Sequence, residues 1–291
     1  MENNWCCADE EGCVLSMKRK FSVLLSLYKN EKPEYLRQSL ESILNQTVLP
    51  DEIVLVKDGL LSDDLENVLC EYDHKSNLFR FVSFRENRGL GLALRDGVIA
   101  CQNELIARMD TDDICNPERF EKQVEFFERY PNITLLGSWI TEFSHDANNP
   151  DTITKLPCLH EEIVSYAKKR NPFRHMTVMF KKSAVLTSGN YRDFLWFEDY
   201  DLWVRLLQNG YRTANIPEVL VNVRADDDMF SRRGGNAYLK QEIKFMIFLN
   251  RISFLSKTEM FNNILIRTII RLCPNSLRKI FYISFLRKKL K

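Results

Sequence analysis

The chain has 291 residues, 45% hydrophobic and 28% charged, enough for one large core and a composition that excludes a disordered protein. Its formal net charge is +1, yet from Lys240 onward twelve Lys and Arg face only two Glu, so the preceding residues carry about −9. An acidic globule with a basic tail gives no footprint for nucleic acid, and eight cysteines without a C-x-x-C pair point to neither a zinc site nor a disulfide framework.

The first residues, with Glu2, Asp9, Glu10 and Glu11, lack the basic start and apolar centre of a signal peptide. Residues 1–20 read as a flexible tail, with Met17 as a second candidate start. No apolar run reaches the roughly eighteen residues of a membrane span, and the cysteine pattern makes a reducing cytosol the expected compartment.

The run from Phe21 to Leu27 is nearly all apolar, as in a strand covered on both faces. Pro33 opens a helix carrying Leu36, Leu40 and Ile43 at helical spacing, and Ile53 to Val56 forms the next strand, leading into Lys57-Asp58-Gly59. A helix from about Ser62 to Tyr72, a strand from Phe79 to Phe84, and a helix ending at Ala100 follow. Two βα units in sixty residues predict a doubly wound, mostly parallel α/β sheet. Gly89 and Gly91 do not complete a G-x-G-x-x-G dinucleotide loop.

A fourth strand, Glu104 to Met109, delivers Asp110-Thr111-Asp112-Asp113 at its carboxyl end, where open α/β sheets bind ligands. Carboxylates this close repel unless neutralised, and a hard divalent cation suits them. The alternative is a solvated turn capping the helix from Glu118 to Tyr130. Ile133 to Ile140 is a further strand, His145 to Pro157 a polar loop, and Met176 to Phe180 another strand. The segment 196–201 crowds Trp196, Glu198, Asp199 and Asp201 into the opening of a helix. After Leu220 to Val223 come Arg224, Arg232 and Arg233, whose guanidinium forks match phosphate oxygens.

From Tyr238 to the end the chain is predicted to be helical. Phe261, Ile264, Leu265, Ile269 and Leu272 share one helical face and Arg267 and Arg271 another, a pattern that fits a membrane interface; packing on the globule is the alternative.

Taken in order, Ser26-Leu27-Tyr28, Ser42 to Thr47, Val56 to Gly59, Asn87-Arg88-Gly89, Asp110 to Asp113 and Glu198-Asp199 resemble family 2 of the inverting glycosyltransferases with the GT-A fold. The likeness covers about residues 21–225. Tyr28 to Pro33, His175 to Phe180 and Arg232 to Gly235 narrow it to bacterial O-antigen and amylovoran-type galactosyl- or glucosyltransferases. Lys57 departs from the family, many of whose members have a second Asp there. The absence of Q-x-x-R-W, the mark of processive synthases, implies that a single sugar is added.

The resemblance implies a GT-A catalytic domain over 21–235, with a donor half at 21–144 and an acceptor half at 145–235, and a basic membrane-associating tail at 236–291. It assigns Ser26, Tyr28, Asp58, Arg88 and Asp110 to a UDP-hexose, and Asp112 with Asp110 or Asp113 to Mn2+ or Mg2+. Asp199, beside Glu198, would be the general base for a β-linkage. His175, Arg224, Arg232 and Arg233 would face an acceptor linked to polyprenyl diphosphate at the cytoplasmic surface of the inner membrane. Tyr28 and His175 equally suit a packed core. Two rival functions share the scaffold. A sugar-1-phosphate nucleotidyltransferase needs a glycine-rich loop that Ser26 to Lys32 lacks, and a non-catalytic membrane-peripheral scaffold would bind donor without turnover.

Overall fold

The computed structural model describes residues 19–225 and 235–272, with the backbone of Lys288–Lys289. Arg232, Arg233 and most of the tail therefore lie outside the described residues.

The apolar runs become the strands of one sheet. Strands β1 (Phe21–Leu27), β2 (Glu52–Lys57), β3 (Phe79–Ser83) and β4 (Leu105–Arg108) are parallel in the order β3-β2-β1-β4. Alternation in β1 divides the core. Val23, Leu25 and Leu27 face Leu36, Leu40 and Ile43 of α1 (Pro33–Leu44) and side chains of α2 (Asp63–Lys75), while Leu24 faces Ala93 and Val98 of α3 (Leu90–Ala100). Helices on both faces are the expected doubly wound arrangement. Local signals set the helix starts, with Pro33 in the first turn of α1 and Ser62 Oγ accepting the Leu65 N–H at 3.4 Å ahead of α2.

Beyond β4 the sheet becomes mixed. Strand β6 (Ile133–Phe143) and β4 are joined through β8 (Met179–Lys181), antiparallel to both, and the long β9 (Arg212–Arg224) runs parallel to β6. The short β5 (Ile114–Cys115) pairs with β9 at Val221 and Asn222, pinning the turn that contains the aspartates. Helix α4 (Arg119–Arg129) covers the α1 face, whereas α7 (Glu198–Gln208) and α8 (Gly235–Arg251) cover the α3 face around the fully buried Trp203.

Three sequence expectations change. The polar loop at 145–157 contains β7 (Thr152–Thr154), which hydrogen-bonds to β6 because Thr152 and Thr154 bury their side chains. The expected strand at 176–180 opens as a 3-10 turn over His175–Thr177 before β8 begins. The chain from Tyr238 is not wholly helical, because after α9 (Lys257–Leu272) Lys288–Lys289 pairs antiparallel with β7 and forms β10. Helices α5 (His160–Ala167) and α6 (Lys182–Thr187) complete the fold and were not anticipated.

Candidate active site

The end of β4 carries the acidic turn. Ligand oxygens of Asp110, Asp112 and Asp113 lie within 4.8 Å of one another. Arg108, fully buried on β4, pairs with Asp110 Oδ1, and His175 Nε2 lies 3.1 Å from Asp110 Oδ2. Burial alone would raise the Asp110 carboxyl, but Arg108 and His175 reverse that and hold it well below the usual carboxylate range. Its neighbours go the other way. Asp112 is pushed up to about 7 by burial and by the charges of Asp110 and Glu31, and Asp113 is raised by burial and by Asp112 and Asp110.

A cation answers that conflict. Asp113 Oδ1 accepts the Arg224 N–H at 2.9 Å, while Asp113 Oδ2 is buried with no hydrogen-bond partner. An orphaned carboxylate oxygen beside two further carboxylates fits an oxygen-seeking divalent ion such as Mn2+ or Mg2+. Arg224 braces the turn. Its Nε donates to the Asp112 carbonyl at 3.1 Å, its Nη2 donates to Gln38 Oε1 at 2.5 Å, and its guanidinium lies 3.8 Å from the Tyr35 ring centre.

The second component is the turn after β2. Gly59 takes a left-handed φ of +93°, and a Cβ there would meet the Asn87 backbone nitrogen at 2.8 Å, so glycine lets the two loops touch. Asp58 is buried and accepts the backbone N–H groups of Arg88 (2.7 Å) and Gly89 (3.0 Å), fixing the loop that opens α3. Arg88 itself stacks over Phe84 and pairs with Asp96 at 2.9 Å. Ser26 aligns with Val56 on the adjacent strand, and Tyr28 is exposed just beyond β1.

Across from these, α7 begins at Glu198 and Asp199. Asp199 Oδ2 accepts from Asn171 Nδ2 at 2.7 Å, and Oδ1 accepts the Tyr200 N–H at 2.6 Å. Glu198 is pushed up to about 7, by burial first and then by the neighbouring Asp199 carboxylate. Trp196, two residues before, holds a left-handed φ of 68° and stacks on Tyr238 of α8, so the approach to α7 is a constrained turn. Gly91 lets α3 approach it, because a Cβ there would collide with the Arg192 carbonyl and lie 3.1 Å from Glu198 Cβ.

A cleft of about 1250 Å3 runs beside these parts. It is lined by Tyr28, Gly89, His175, Glu198 and Asp199 and continues past Arg170 to α9, and His175 connects it to the acidic turn. His175 therefore touches both the acidic turn and the cleft, while Arg224 stands behind the acidic turn and does not line the cleft. Asn171, Arg108 and Glu31, whose Oε2 accepts from Thr111 Oγ1 at 2.6 Å, carried no sequence signal beyond their nearness to turns.

At the far end, α9 inverts the usual burial. Glu242 of α8 is buried and binds Arg271 (2.8 Å) and Arg267, so both arginines point inward. Phe261, Leu265, Ile269 and Leu272 are left exposed, each at 51% or more. No helix among the described residues is long and apolar enough to cross a membrane.

A mixed α/β sheet with an acidic turn at the carboxyl end of its parallel strands, beside a cleft lined by the Glu198 and Asp199 carboxylates, is the architecture of a GT-A glycosyltransferase. The chain belongs to glycosyl transferase family 2, whose family model matches residues 22–186. It is 42% identical over 265 residues to the amylovoran biosynthesis glycosyltransferase AmsE of Erwinia amylovora, covering 90% of this chain and 97% of that one. It is 35% identical over 269 residues to the Escherichia coli UDP-Gal:alpha-D-GlcNAc-diphosphoundecaprenol beta-1,3-galactosyltransferase, covering 92% and 97%. Among solved structures, S. aureus TarS 1-349 in complex with UDP-GlcNAc superposes with a TM-score of 0.63 at 15% identity, covering 92% of this chain and 73% of that one, and so shares its fold.

Proposed function

We propose that the protein transfers one hexose, galactose or glucose, from a UDP-sugar to an N-acetylhexosamine linked to a lipid diphosphate, inverting the anomeric centre to give a β-linkage. The setting is the synthesis of an O-antigen or exopolysaccharide repeat unit, at the cytoplasmic face of the plasma membrane. The observation that carries this reading is one cleft lined by Asp199, held by Asn171, together with Tyr28 and His175, the last of which also touches Asp110 of the acidic turn. The pathways of the relatives support the acceptor class, and the E. coli relative makes UDP-galactose the first donor to try.

Each group has a task in this reading. Tyr28, Ser26 and the loop that Asp58 fixes receive the nucleotide, with Arg88 at its rim. Asp110, Asp112 and Asp113 hold the divalent cation, which when bound supplies positive charge to the departing diphosphate. Asp199 accepts the proton of the attacking acceptor hydroxyl, and the Asn171 amide keeps its carboxylate turned toward that hydroxyl. Glu198, whose carboxyl is pushed up to about 7 by burial and the Asp199 charge, carries less negative charge beside the base near neutrality than an ordinary glutamate would. The exposed face of α9, with the basic residues beyond it, holds the enzyme on an anionic lipid surface.

The test is incubation with Mn2+, a synthetic GlcNAc-diphosphate-lipid and a panel of UDP-sugars, scored by product mass, with Asp199→Ala as control. One hexose added from one donor, and lost in the variant, is the expected result. Turnover undiminished in Asp199→Ala would remove the base assignment, and binding of UDP without transfer to any acceptor would remove the enzyme reading.

A further inference from the structure

Helix α5 ends at Ala167 and is followed by Lys168-Lys169-Arg170-Asn171. The backbone of this segment is clamped. The N–H groups of Lys169 and Arg170 both donate to the Tyr166 carbonyl at 2.9 Å, Asn263 Nδ2 donates to the Lys168 carbonyl at 2.8 Å, and Arg267 Nη2 donates to the Lys169 carbonyl at 2.6 Å. Its side chains divide into two groups. Lys168 pairs with Glu259 at 3.0 Å, and Asn171 holds the base. Lys169 and Arg170 line the cleft, and among the described residues neither side chain has an ion pair or a hydrogen bond.

The acids nearby do not answer these two cations. Glu259 is bound by Lys168 and by the Ser256 N–H, Glu242 by Arg267 and Arg271, and Glu161 by Arg212, while Glu162, which shares a shallow groove with Lys169, makes no ion pair with it among the described residues. Two adjacent cations on a rigid backbone, one of them a guanidinium fork, form a site for a phosphate-type anion. In this reading the anion of the donor has a separate place, because the acidic turn that would hold its cation is not among the residues lining the cleft beside Lys169 and Arg170. A sugar that presents a hydroxyl to Asp199 extends its own anomeric substituent along the remaining cleft, past Lys169 and Arg170, toward the exposed apolar face of α9.

We propose that Lys169 and Arg170 bind the diphosphate of the lipid-linked acceptor. This rests on the reading of the acceptor given above and places its anion on the residues that run into Asn171, away from Arg224, whose guanidinium is committed to the acidic turn. The lipid then leaves the cleft beside α9.

The experiment compares wild type with Lys169→Ala/Arg170→Ala on two acceptors, GlcNAc-diphosphate-lipid and a neutral alkyl glycoside of GlcNAc. Lys169 is exposed and Arg170 half-buried, neither with an ion pair among the described residues, and an unchanged melting temperature of the double variant checks that folding is intact. The KM for the diphosphate acceptor should rise by about tenfold or more relative to that for the glycoside, the KM for the UDP-sugar should hold, and Lys169→Arg should behave as wild type. An equal change on both acceptors, or a rise confined to the KM for the UDP-sugar, overturns the proposal. If wild type uses neither acceptor, the functional reading above falls on its own, and calorimetric titration of the UDP-loaded protein with geranyl diphosphate decides this site. Binding lost in the double variant upholds it, and equal binding or none in both proteins overturns it.

Discussion

The amide of Asn171 donates to the carboxylate of Asp199 at 2.7 Å, tying the loop after α5 to the first turn of α7. The Tyr200 N–H takes the other oxygen, so the carboxylate plane is fixed from two directions. As the proposed base, a carboxylate held in this way is oriented before any substrate arrives. Asn171→Ala should lower kcat by about tenfold to a hundredfold and leave the KM for the UDP-sugar nearly unchanged, against a loss of about a thousandfold in Asp199→Ala. The isosteric Asn171→Asp sets a like charge beside the base and should move the rising limb of the pH–rate profile to higher pH. An Asn171→Asp enzyme with the wild-type profile would show that Asn171 does not act through Asp199.

Glu198 links this site to stability. Its carboxyl is pushed up to about 7 against an ordinary 4.5, so the folded protein favours the protonated form. The contribution is complete below about pH 4.5 and is lost as pH rises toward 7, where folding must bear a buried charge next to Asp199. Glu198→Gln stays neutral throughout. It should therefore exceed wild type in unfolding free energy by on the order of 1–3 kcal/mol at pH 8, with the gap closing near pH 4. Urea unfolding at the two pH values measures this, and a gap that does not grow with pH would contradict it.

Much of this arrangement was legible in the sequence, for identifiable reasons. The strand from Phe21 to Leu27 was readable because burial on both faces leaves almost no polar residue in it, and the acidic turn because three carboxylates in four residues demand an explanation. The first half of β9 was not. Thr213 and Asn215 are buried there and break the apolar pattern, and the partners of the Thr213 N–H and of Asn215 Nδ2, His160 and the Pro157 carbonyl, lie more than fifty residues away. Asn171 escaped for the same reason, because a loop asparagine signals nothing until its partner is in view. Helical spacing put Arg267 and Arg271 on one face of α9, but which way that face points depends on Glu242, in a different helix.

That glutamate offers a clear energetic test. Glu242 is 1% exposed and sits between two guanidinium groups, whose charge, together with direct hydrogen bonds, lowers its pKa against the opposing effect of burial. Removing it leaves Arg271 buried without that carboxylate, and breaking such a pair from one side costs about 3–5 kcal/mol. Glu242→Ala should detach α9 from α8 and lower the melting temperature by several degrees. The hydrophobic replacement Glu242→Met/Arg271→Met should recover most of the loss, because it removes both charges. A single variant as stable as wild type would show that the pair does not hold the two helices together.

The same inward turn of the arginines leaves α9 with a surface that water does not favour. Phe261, Leu265, Ile269 and Leu272 form an exposed apolar strip next to a chain terminus rich in Lys and Arg, and a strip of this kind seeks cover. The cover expected here is an anionic bilayer, because the surplus positive charge from Lys240 onward complements anionic headgroups and the cleft opens beside the strip. Burying one such side chain is worth about 1.5–3 kcal/mol, so Leu265→Glu/Ile269→Glu should weaken membrane partitioning by well over about tenfold. Both residues are exposed in the free protein, and the melting temperature should be unchanged. Flotation of the full chain with phosphatidylglycerol vesicles measures the difference. Wild type should rise with the lipid and fall away as salt is added, and the double variant should stay at the bottom. A double variant that floats like wild type would move the membrane contact off α9.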